Sequence, residues 1–248
     1  MLGGDSQEKR QILINPRVQQ WPFLGSPLPL VSIIVAYLYI VLVAGPKFME
    51  NRKPHSLKKI IAAYNIFQLF ANSFIIYGLL TSGWANHLDF GCHLPDFSNH
   101  PTALRMAAMV WYEMCLKLID FIETGFFILR KKESQRSFLH LYHHVSTLLI
   151  VYLSAKYLPG GSVTFPMILN AMVHVLMYTY YLLTLMGPRM QRRINKVQFV
   201  IVLLYSMQMF NPDCKIPTII PYVFVPNVLL VFYLFYDFYQ KAYKSKKD

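Results

Sequence analysis

The sequence predicts an all-α membrane protein with seven transmembrane helices, and three observations carry that prediction. Of the 248 residues, 55% are hydrophobic and only 15% are charged, whereas a soluble domain averages about 25% charged residues. The apolar residues fall in blocks, most of them long enough to cross a hydrocarbon core of about 30 Å. Basic residues concentrate in alternate connections between these blocks. The mean hydropathy of +0.35 agrees with this assignment and argues against a soluble domain.

Seven apolar runs are the candidate spans, and the sixth is the shortest. They occupy residues 28–45, 60–80, 105–129, 138–155, 164–186, 197–210 and 217–240. We expect a single membrane domain over 1–248, with a lumenal segment 1–27, seven spans within 28–240 and a cytosolic basic tail 241–248. The first segment lacks the apolar core of a cleavable signal peptide, so we expect the first span to act as an uncleaved anchor.

The distribution of Lys and Arg predicts the orientation. Connections 46–59, 130–137, 187–196 and 241–248 hold 17 of the 24 basic residues, whereas the N-terminal segment and the other connections hold 5. Cytosolic loops are enriched in these residues, which places the N-terminus in a lumen and the C-terminus in the cytosol. The same bias explains most of the net charge of +12. Attraction of an anionic substrate or lipid is the alternative explanation.

The cysteines and the tail carry two further expectations. Cys92 and Cys214 both fall in loops assigned to the lumen, where disulfides persist, and we predict that they pair. Cys115 lies within the third span and is expected to serve packing. The tail KSKKD fits a dilysine-type KxKxx retrieval pattern. Ordinary basic residues flanking the last span are the alternative.

Ionisable side chains inside the third span point to a polar interior. Such groups cost about 2.5–3.5 kcal/mol on insertion scales and normally face protein or a wet cavity. Lys117, Asp120 and Thr124 recur at the spacing of one helical stripe, and Glu123 borders it. Glu113 belongs to the same span. An internal Lys117–Asp120 ion pair that joins helices is the alternative to a reaction centre.

Histidines open the fourth span, where residues 140–144 read HLYHH. The three imidazoles lie on one helical face, near the cytosolic end. A polar face of the fifth span holds Asn170, His174, Met177, Tyr178 and Tyr181, although its tyrosines also suit an interfacial belt. Amides in the second and sixth spans are expected to join helices or line the cavity, namely Asn65, Gln68, Asn72, Gln198 and Gln208. We predict a polar cavity open toward the cytosol.

The HxxHH pattern fits two chemistries. A diiron centre, as in membrane desaturases and hydroxylases, needs more ligands than the four histidines that can converge here, His140, His143, His144 and His174. Those four would suit a single metal ion by ligand type. The other chemistry is nucleophilic or acid–base catalysis, because neutral imidazole is abundant near pH 7. A buried site would protect an acyl-imidazole from water.

Several segments resemble the very-long-chain fatty acid elongases of the ELO type. They read NPRVQQWPFLGSPLP, GPKFMENRKPHSLKK, AYNIFQ, LKLIDFIETGFFILRKK, LHLYHHV and PGGSVTFPMILNAMVHVLMYTYYLLT. The match covers about nine tenths of the chain from Asn15 onward, and HLYHH followed about 30 residues later by HVLMYTYY is highly specific. The resemblance implies a barrel of six helices, out of seven, around a narrow acyl tunnel.

The resemblance also implies an activity. The chain would condense a long-chain acyl-CoA with malonyl-CoA in the endoplasmic reticulum membrane, releasing CO2 and CoA and giving a 3-oxoacyl-CoA two carbons longer. No cofactor and no metal are expected beside these substrates, and no nucleic acid. Membrane lipid, a second copy of the chain and the other enzymes of the elongation cycle are the implied partners.

Site residues follow from the resemblance by position. It implies an acyl-imidazole on His143, with His140 and His144 orienting it or shuttling protons. His174 would stabilise the oxyanion or help to activate malonyl-CoA. The family pattern KxxExxDT is matched with its two acids exchanged, at Lys117, Asp120, Glu123 and Thr124, which leaves the separate roles of the two acids open.

Substrate contacts complete the expected site. Polar cavity residues Asn170, Tyr178, Tyr181 and Gln198 would line it. Basic cytosolic residues would bind the phosphates of CoA, namely Lys131, Lys132, Arg189, Arg192, Arg193 and Lys196. Two other functions compete with this one. A non-enzymatic seven-span receptor or lipid carrier would not need the histidines, and a metal-dependent histidine-box lipid oxidase would bind iron.

Overall fold

The computed structural model describes residues 15–86, 88–183, 198, 200–214, 216–217 and 219–244, and within them the secondary structure is helical, without a β-strand. The helices are α1 (Leu28–Met49), α2 (Lys58–Trp84), α3 (Pro101–Leu129), α4 (Phe138–Tyr157), α5 (Thr164–Leu183), α6 (Val200–Phe210) and α7 (Ile219–Lys244). The predicted all-α class is confirmed, and each apolar run coincides with one helix.

Five of these described helices are long and apolar enough to cross a membrane: α1, α2, α4, α5 and α7. A multi-pass membrane protein is therefore the architecture. Helix α3 has 29 residues, but its charged residues keep it out of that group, and α6 is shorter than a full span. The seven-span count and the barrel of six helices stay predictions.

Pairwise packing of the helices forms the core. Helix α2 packs most extensively against α5, α3 packs against α2 and α4, α7 against α4, and α1 against α3. Leu79, Met114 and Leu148 are fully buried among these helices. The outward faces are also apolar, since Phe70 is 70% and Tyr77 66% exposed. Apolar surface on the outside as well as the inside is typical of a helix bundle in lipid.

Local sequence signals explain how the helices begin and bend. Ser137 caps α4, because its hydroxyl accepts a hydrogen bond from the His140 N–H at 3.3 Å. Pro101 is the first residue of α3, where a backbone N–H would have no partner within the helix, so the missing N–H of proline costs nothing. Helix α1 passes through a π-helical turn at Ile40–Ala44 just before Pro46. Proline lacks an N–H, and a π turn absorbs the resulting break.

Two basic connections meet at one end of the bundle. The His55 N–H donates to the Leu129 carbonyl at 2.9 Å. The Lys131 ammonium donates to the Glu50 carbonyl at 3.1 Å. The α1–α2 and α3–α4 connections therefore lie side by side, as the predicted orientation requires of two cytosolic loops.

At the opposite end of the bundle, the α2–α3 connection contacts the α4–α5 and α6–α7 connections. Cys92 and Cys214 form a disulfide there, with their Cα atoms 5.5 Å apart. Gly161 has φ of +63°, and a Cβ on it would lie 2.5 Å from the His93 carbonyl oxygen, so only glycine fits this approach.

The segment before α1 is attached to the same connection, because the Arg17 guanidinium donates to the Asp96 carbonyl at 3.0 Å. The Ser98 N–H donates to the Asp96 carboxylate, which lowers the pKa of Asp96.

Candidate active site

Lys117 is the centre of a buried polar cluster between α3 and α5. Its Nζ lies 3.1 Å from Glu113 Oε1, 3.5 Å from Asp120 Oδ2 and 2.9 Å from Asn170 Oδ1. Glu113 has no exposed surface, and Lys117 and Asp120 are each 3% exposed. Buried charges are tolerated when they are paired, and two acids share this one cation. The predicted ion pair with Asp120 is present, and Glu113 makes the shorter contact.

Helix α2 supports this cluster through amides. The Gln68 side chain donates to Asp120 Oδ1 at 2.7 Å and to the Tyr64 hydroxyl at 2.8 Å. Asn72 in turn donates to the Gln68 carbonyl at 2.8 Å. Gln68 and Asn72 are fully buried. The amides expected to join helices therefore also fix the orientation of the Asp120 carboxylate.

The histidines of α4 begin a second polar chain. The Thr124 hydroxyl lies 2.9 Å from the Tyr37 hydroxyl and 2.8 Å from His140 Nε2. The His140 and His144 rings pack with centroids 4.1 Å apart, and the His143 ring follows at 5.9 Å from His144. A continuous series of contacts therefore runs from Tyr37 on α1 through Thr124 on α3 and the α4 histidines to His143. A hydroxyl held in this way fixes the ring orientation of His140.

A cavity of about 440 Å³ lies between α3, α4, α5, α6 and α7, and His143 lines it. Polar wall residues include Glu113, Lys117, Asn170, Gln198 and Asn227, with Thr147, Ser154 and Tyr157 on α4. The rest of the wall is largely apolar, including Ile150, Val151, Met167, Val202, Ile220 and Val228. A mostly apolar cavity with few polar groups is the usual form of a lipid or small-molecule site.

The cavity runs from the histidines toward the disulfide end. Its wall includes Tyr157, the last residue of α4, with Leu158 directly after it, and Ile219 and Ile220, which begin α7. His143 lies only a few residues from the opposite end of α4. A linear alkyl chain could therefore extend from His143 along the apolar wall.

Other predicted site residues lie behind this wall or beside it. His174 is 9% exposed, and its ring packs edge-on against Tyr178 at 5.8 Å. Tyr178 is buried against Tyr64, whereas Tyr181 is 39% exposed. Glu123 is partly buried next to Thr124.

Two of the basic residues expected to bind CoA, Lys131 and Lys132, lie at the end where the α1–α2 and α3–α4 connections meet. Lys131 is held by the Glu50 carbonyl, and Lys132 is exposed beside it. Arg189, Arg192, Arg193 and Lys196 lie outside the described residues. Among the described residues, no three His, Cys, Asp or Glu side chains are placed together to hold a metal ion.

Sequence reasoning missed two residues of the site, and it placed Glu113 in the third span without assigning it to the stripe of Lys117. The two residues stand four positions apart, so that assignment could have been made. Asn227 accepts a hydrogen bond from the Tyr142 hydroxyl at 2.8 Å and lines the cavity from α7. Tyr37 reaches Thr124 from α1. The last two contacts join separate helices, and no spacing in the sequence signals them.

Comparisons with known proteins show the family of this chain. The chain is 38% identical to a very long chain fatty acid elongase of Aedes aegypti over 243 residues, covering 94% of this chain and 68% of that protein. It is 38% identical to very long chain fatty acid elongase 1 of Mus musculus over 245 residues, covering 94% of this chain and 88% of that one. It is 36% identical to very long chain fatty acid elongase 7 of Drosophila melanogaster over 242 residues, covering 94% and 74%. The model of the ELO (GNS1/SUR4) family matches residues 22–248, and the chain belongs to that family.

Proposed function

We propose that this protein is the condensing enzyme of fatty acid elongation, a 3-oxoacyl-CoA synthase. It would join a long-chain acyl-CoA to malonyl-CoA, release CO2 and CoA, and give a product two carbons longer. The observation that carries the proposal is the place of His143, in the wall of an apolar cavity within a helix bundle. Its relatives, named as very long chain fatty acid elongases, support the same activity.

The proposed reaction has two half-reactions. A ring nitrogen of His143 attacks the thioester carbon, the C–S bond breaks, and CoA leaves as its thiol after taking up the imidazole proton. Malonyl-CoA then loses CO2, and the carbanion attacks the acyl-imidazole carbon. The C–N bond to His143 breaks, and a proton from water, passed on by His140 or His144, restores the neutral imidazole. Covalent catalysis of this kind divides one difficult step into two easier ones.

Neighbouring side chains have supporting roles in the proposal. His140 and His144 orient His143 and shuttle its proton, because their rings form a continuous row that ends at Thr124. Asn170 on the cavity wall would contact the substrate, and His174 behind that wall would stabilise the oxyanion or help to activate malonyl-CoA. Lys117, with Asp120 and Glu123, would hold this wall in place.

The proposal also includes a location. Both CoA portions would bind at the end where the basic connections meet, using Lys131, Lys132 and the basic residues 189–196, while the acyl chain enters the bundle. We place the protein in the endoplasmic reticulum membrane, with residues 1–27 in the lumen and 241–248 in the cytosol. The membrane domain would work as one unit, without a cofactor, beside a second copy and the other elongation-cycle enzymes.

A direct test uses microsomes that express the chain, supplied with labelled malonyl-CoA and acyl-CoA primers from C16 to C24. Extension of at least one primer by two carbons is the expected result. No extension of any primer by correctly folded protein would contradict the proposal. Ligand binding that survives loss of His143 would instead favour a receptor or lipid carrier. Stoichiometric iron by elemental analysis would favour an oxidase.

A further inference from the structure

The end of the cavity that is distant from His143 is formed partly by the segment that joins α6 to α7. Four residues of this segment line the cavity, namely Met209, Pro217, Ile219 and Ile220. In the proposed reaction the acyl carbonyl is at His143, so a chain that fills the cavity reaches this segment with its methyl end. The position of the α6–α7 connection therefore decides how much room the longest chains have.

The described residues of the α6–α7 connection make hydrogen bonds only within the segment 208–220. The Cys214 N–H donates to the Asn211 carbonyl at 2.9 Å, and the Asn211 N–H donates back to the last turn of α6 at 3.0 Å. Beside the packed side chain of Ile216, which is 3% exposed, the tie to another part of the bundle is covalent. It is the disulfide from Cys214 to Cys92, with Cα atoms 5.5 Å apart.

The other cysteine belongs to a connection that is held firmly. His93 follows Cys92, and its N–H donates to the Ser162 hydroxyl at 2.6 Å, while the Ser162 N–H donates to the His93 carbonyl at 2.9 Å. The Ser162 hydroxyl in turn donates to the Gly91 carbonyl at 3.0 Å. Ser162 is 1% exposed, and the next residue, Val163, lines the cavity. The α2–α3 connection is thus fixed to the cavity wall on its α4–α5 side.

We infer that the Cys92–Cys214 disulfide limits acyl chain length by holding the α6–α7 connection across the end of the cavity. With the bond closed, the methyl end of a long chain meets a wall that is joined to the α2–α3 connection. With the bond open, hydrogen bonds of the described residues do not replace the tie, and the wall can move outward. The two cysteines are then positioning residues that act through Pro217 and Ile220. This inference rests on the proposed function for the place of the acyl chain.

The first experiment measures kcat/KM for condensation with even-numbered acyl-CoA primers from C16 to C28. The limiting primer is the shortest one, beyond the best, whose kcat/KM with the parent is at most a tenth of the best value. Each additional buried methylene favours binding about fourfold. Since the limiting primer adds two methylenes to the one before it, Cys92→Ser/Cys214→Ser should raise the ratio of limiting to best primer about 4–16-fold. A parent without any limit up to C28, or an unchanged ratio in the folded double variant, would overturn the inference.

Two control variants separate this effect from a general loss of stability. Cys115→Ser removes the free cysteine, which is half-buried on α3 and does not line the cavity. Arg17→Ala loosens the same end of the bundle by removing the hydrogen bond to the Asp96 carbonyl, away from the cavity wall. Both should keep the ratio of the parent, even where the midpoint of thermal unfolding falls. An equal rise of the ratio in Arg17→Ala would assign the effect to loosening of the whole end and overturn the role of the disulfide.

Reduction of the folded parent opens the same bond without a substitution. Cys92 and Cys214 are half-buried, so a small dithiol can reach them. The S–S bond breaks, each sulfur gains an electron and a proton, and the dithiol is oxidised to its cyclic disulfide. Protein with three free thiols should show the higher ratio, and reoxidation should restore the limit. A ratio that stays at the parent value with three free thiols would contradict the inference.

A binding measurement separates this inference from the proposed reaction. S-alkyl-CoA thioethers with the lengths of the best and the limiting primers cannot transfer an acyl group, and their affinity is measured directly. We expect the parent to bind the longer thioether more weakly and the double variant to remove that difference. This result without condensation of any primer would support the inference and contradict the proposed function. Condensation with a length limit that the double variant leaves unchanged would support the reaction and contradict the inference.

Discussion

The Thr124 hydroxyl lies 2.8 Å from His140 Nε2 and joins α3 to the first histidine of HLYHH. The Tyr37 hydroxyl approaches the same oxygen at 2.9 Å from α1. One buried hydroxyl therefore connects three helices at the start of the histidine row. Because the next ring, His144, packs on His140, this contact sets the geometry of the residues that lead to His143.

The first prediction concerns this hydroxyl. Thr124→Val keeps the shape of the side chain and removes the bond that orients His140. We expect kcat for condensation to fall about 10–100-fold with little change in KM, since misorientation of a catalytic group acts on the chemical step. Thr81→Val is the control, because the Thr81 hydroxyl donates to the Tyr77 carbonyl far from the site. An unchanged kcat in Thr124→Val would show that His140 needs no such support.

The second prediction concerns Lys117 and stability. Lys117→Met leaves the Glu113 and Asp120 carboxylates buried without their shared cation. Breaking a buried ion pair on one side costs about 3–5 kcal/mol, so the midpoint of thermal unfolding in detergent should fall clearly. Removing an acid as well, in Glu113→Gln/Lys117→Met, should restore part of the loss. Lys53→Met, at an exposed position, should melt like the parent. A Lys117→Met midpoint equal to that of the parent would contradict the ion-pair assignment.

The third prediction counts thiols. The chain has three cysteines, and Cys92 and Cys214 form the disulfide while Cys115 is free. Denatured protein should label one thiol before reduction and three after it. Three reactive thiols without reductant would contradict the pairing. Cys92→Ala should also lower the free energy of unfolding by about 2–4 kcal/mol, because the bridge closes a long loop of the unfolded chain.

The fourth prediction concerns product length. Ile220 lines the end of the cavity that is distant from His143. Ile220→Trp fills that end, so the longest product should become shorter while short primers are still extended. Tyr222→Trp is the control on the same helix, because Tyr222 is 67% exposed and does not line the cavity. Products of unchanged length from Ile220→Trp would mean that the acyl chain follows another path.

Much of the fold could be predicted because hydropathy and length are local properties of the chain. The predicted start of α4 at 138 coincides with Phe138, and its Ser137 cap agrees with it. Other ends differ by up to several residues, since α1 continues through its π turn to Met49. Helix α3 carries too many charges for a span by composition, and its burial among other helices explains how it tolerates them.

The site was predictable where its residues share one helix. The spacing of Lys117, Asp120 and Thr124 indicated a stripe, and all three are buried on it. Contacts between helices could not be predicted in this way. Tyr37 meets Thr124, and Asn227 meets Tyr142, only because of how the helices pack. Helical periodicity determines which side chains share a face and leaves open which neighbouring helix that face contacts.

The central claim is that His143 carries the acyl group, and a trapping experiment tests it most directly. Purified protein is incubated with labelled long-chain acyl-CoA alone, quenched, digested and analysed by mass spectrometry. We expect an acyl group on His143 that disappears when malonyl-CoA is added, and none in His143→Ala, while the exposed loop variant His55→Ala labels like the parent. Full condensation by His143→Ala, or a chase-sensitive acyl group on another residue, would contradict the claim.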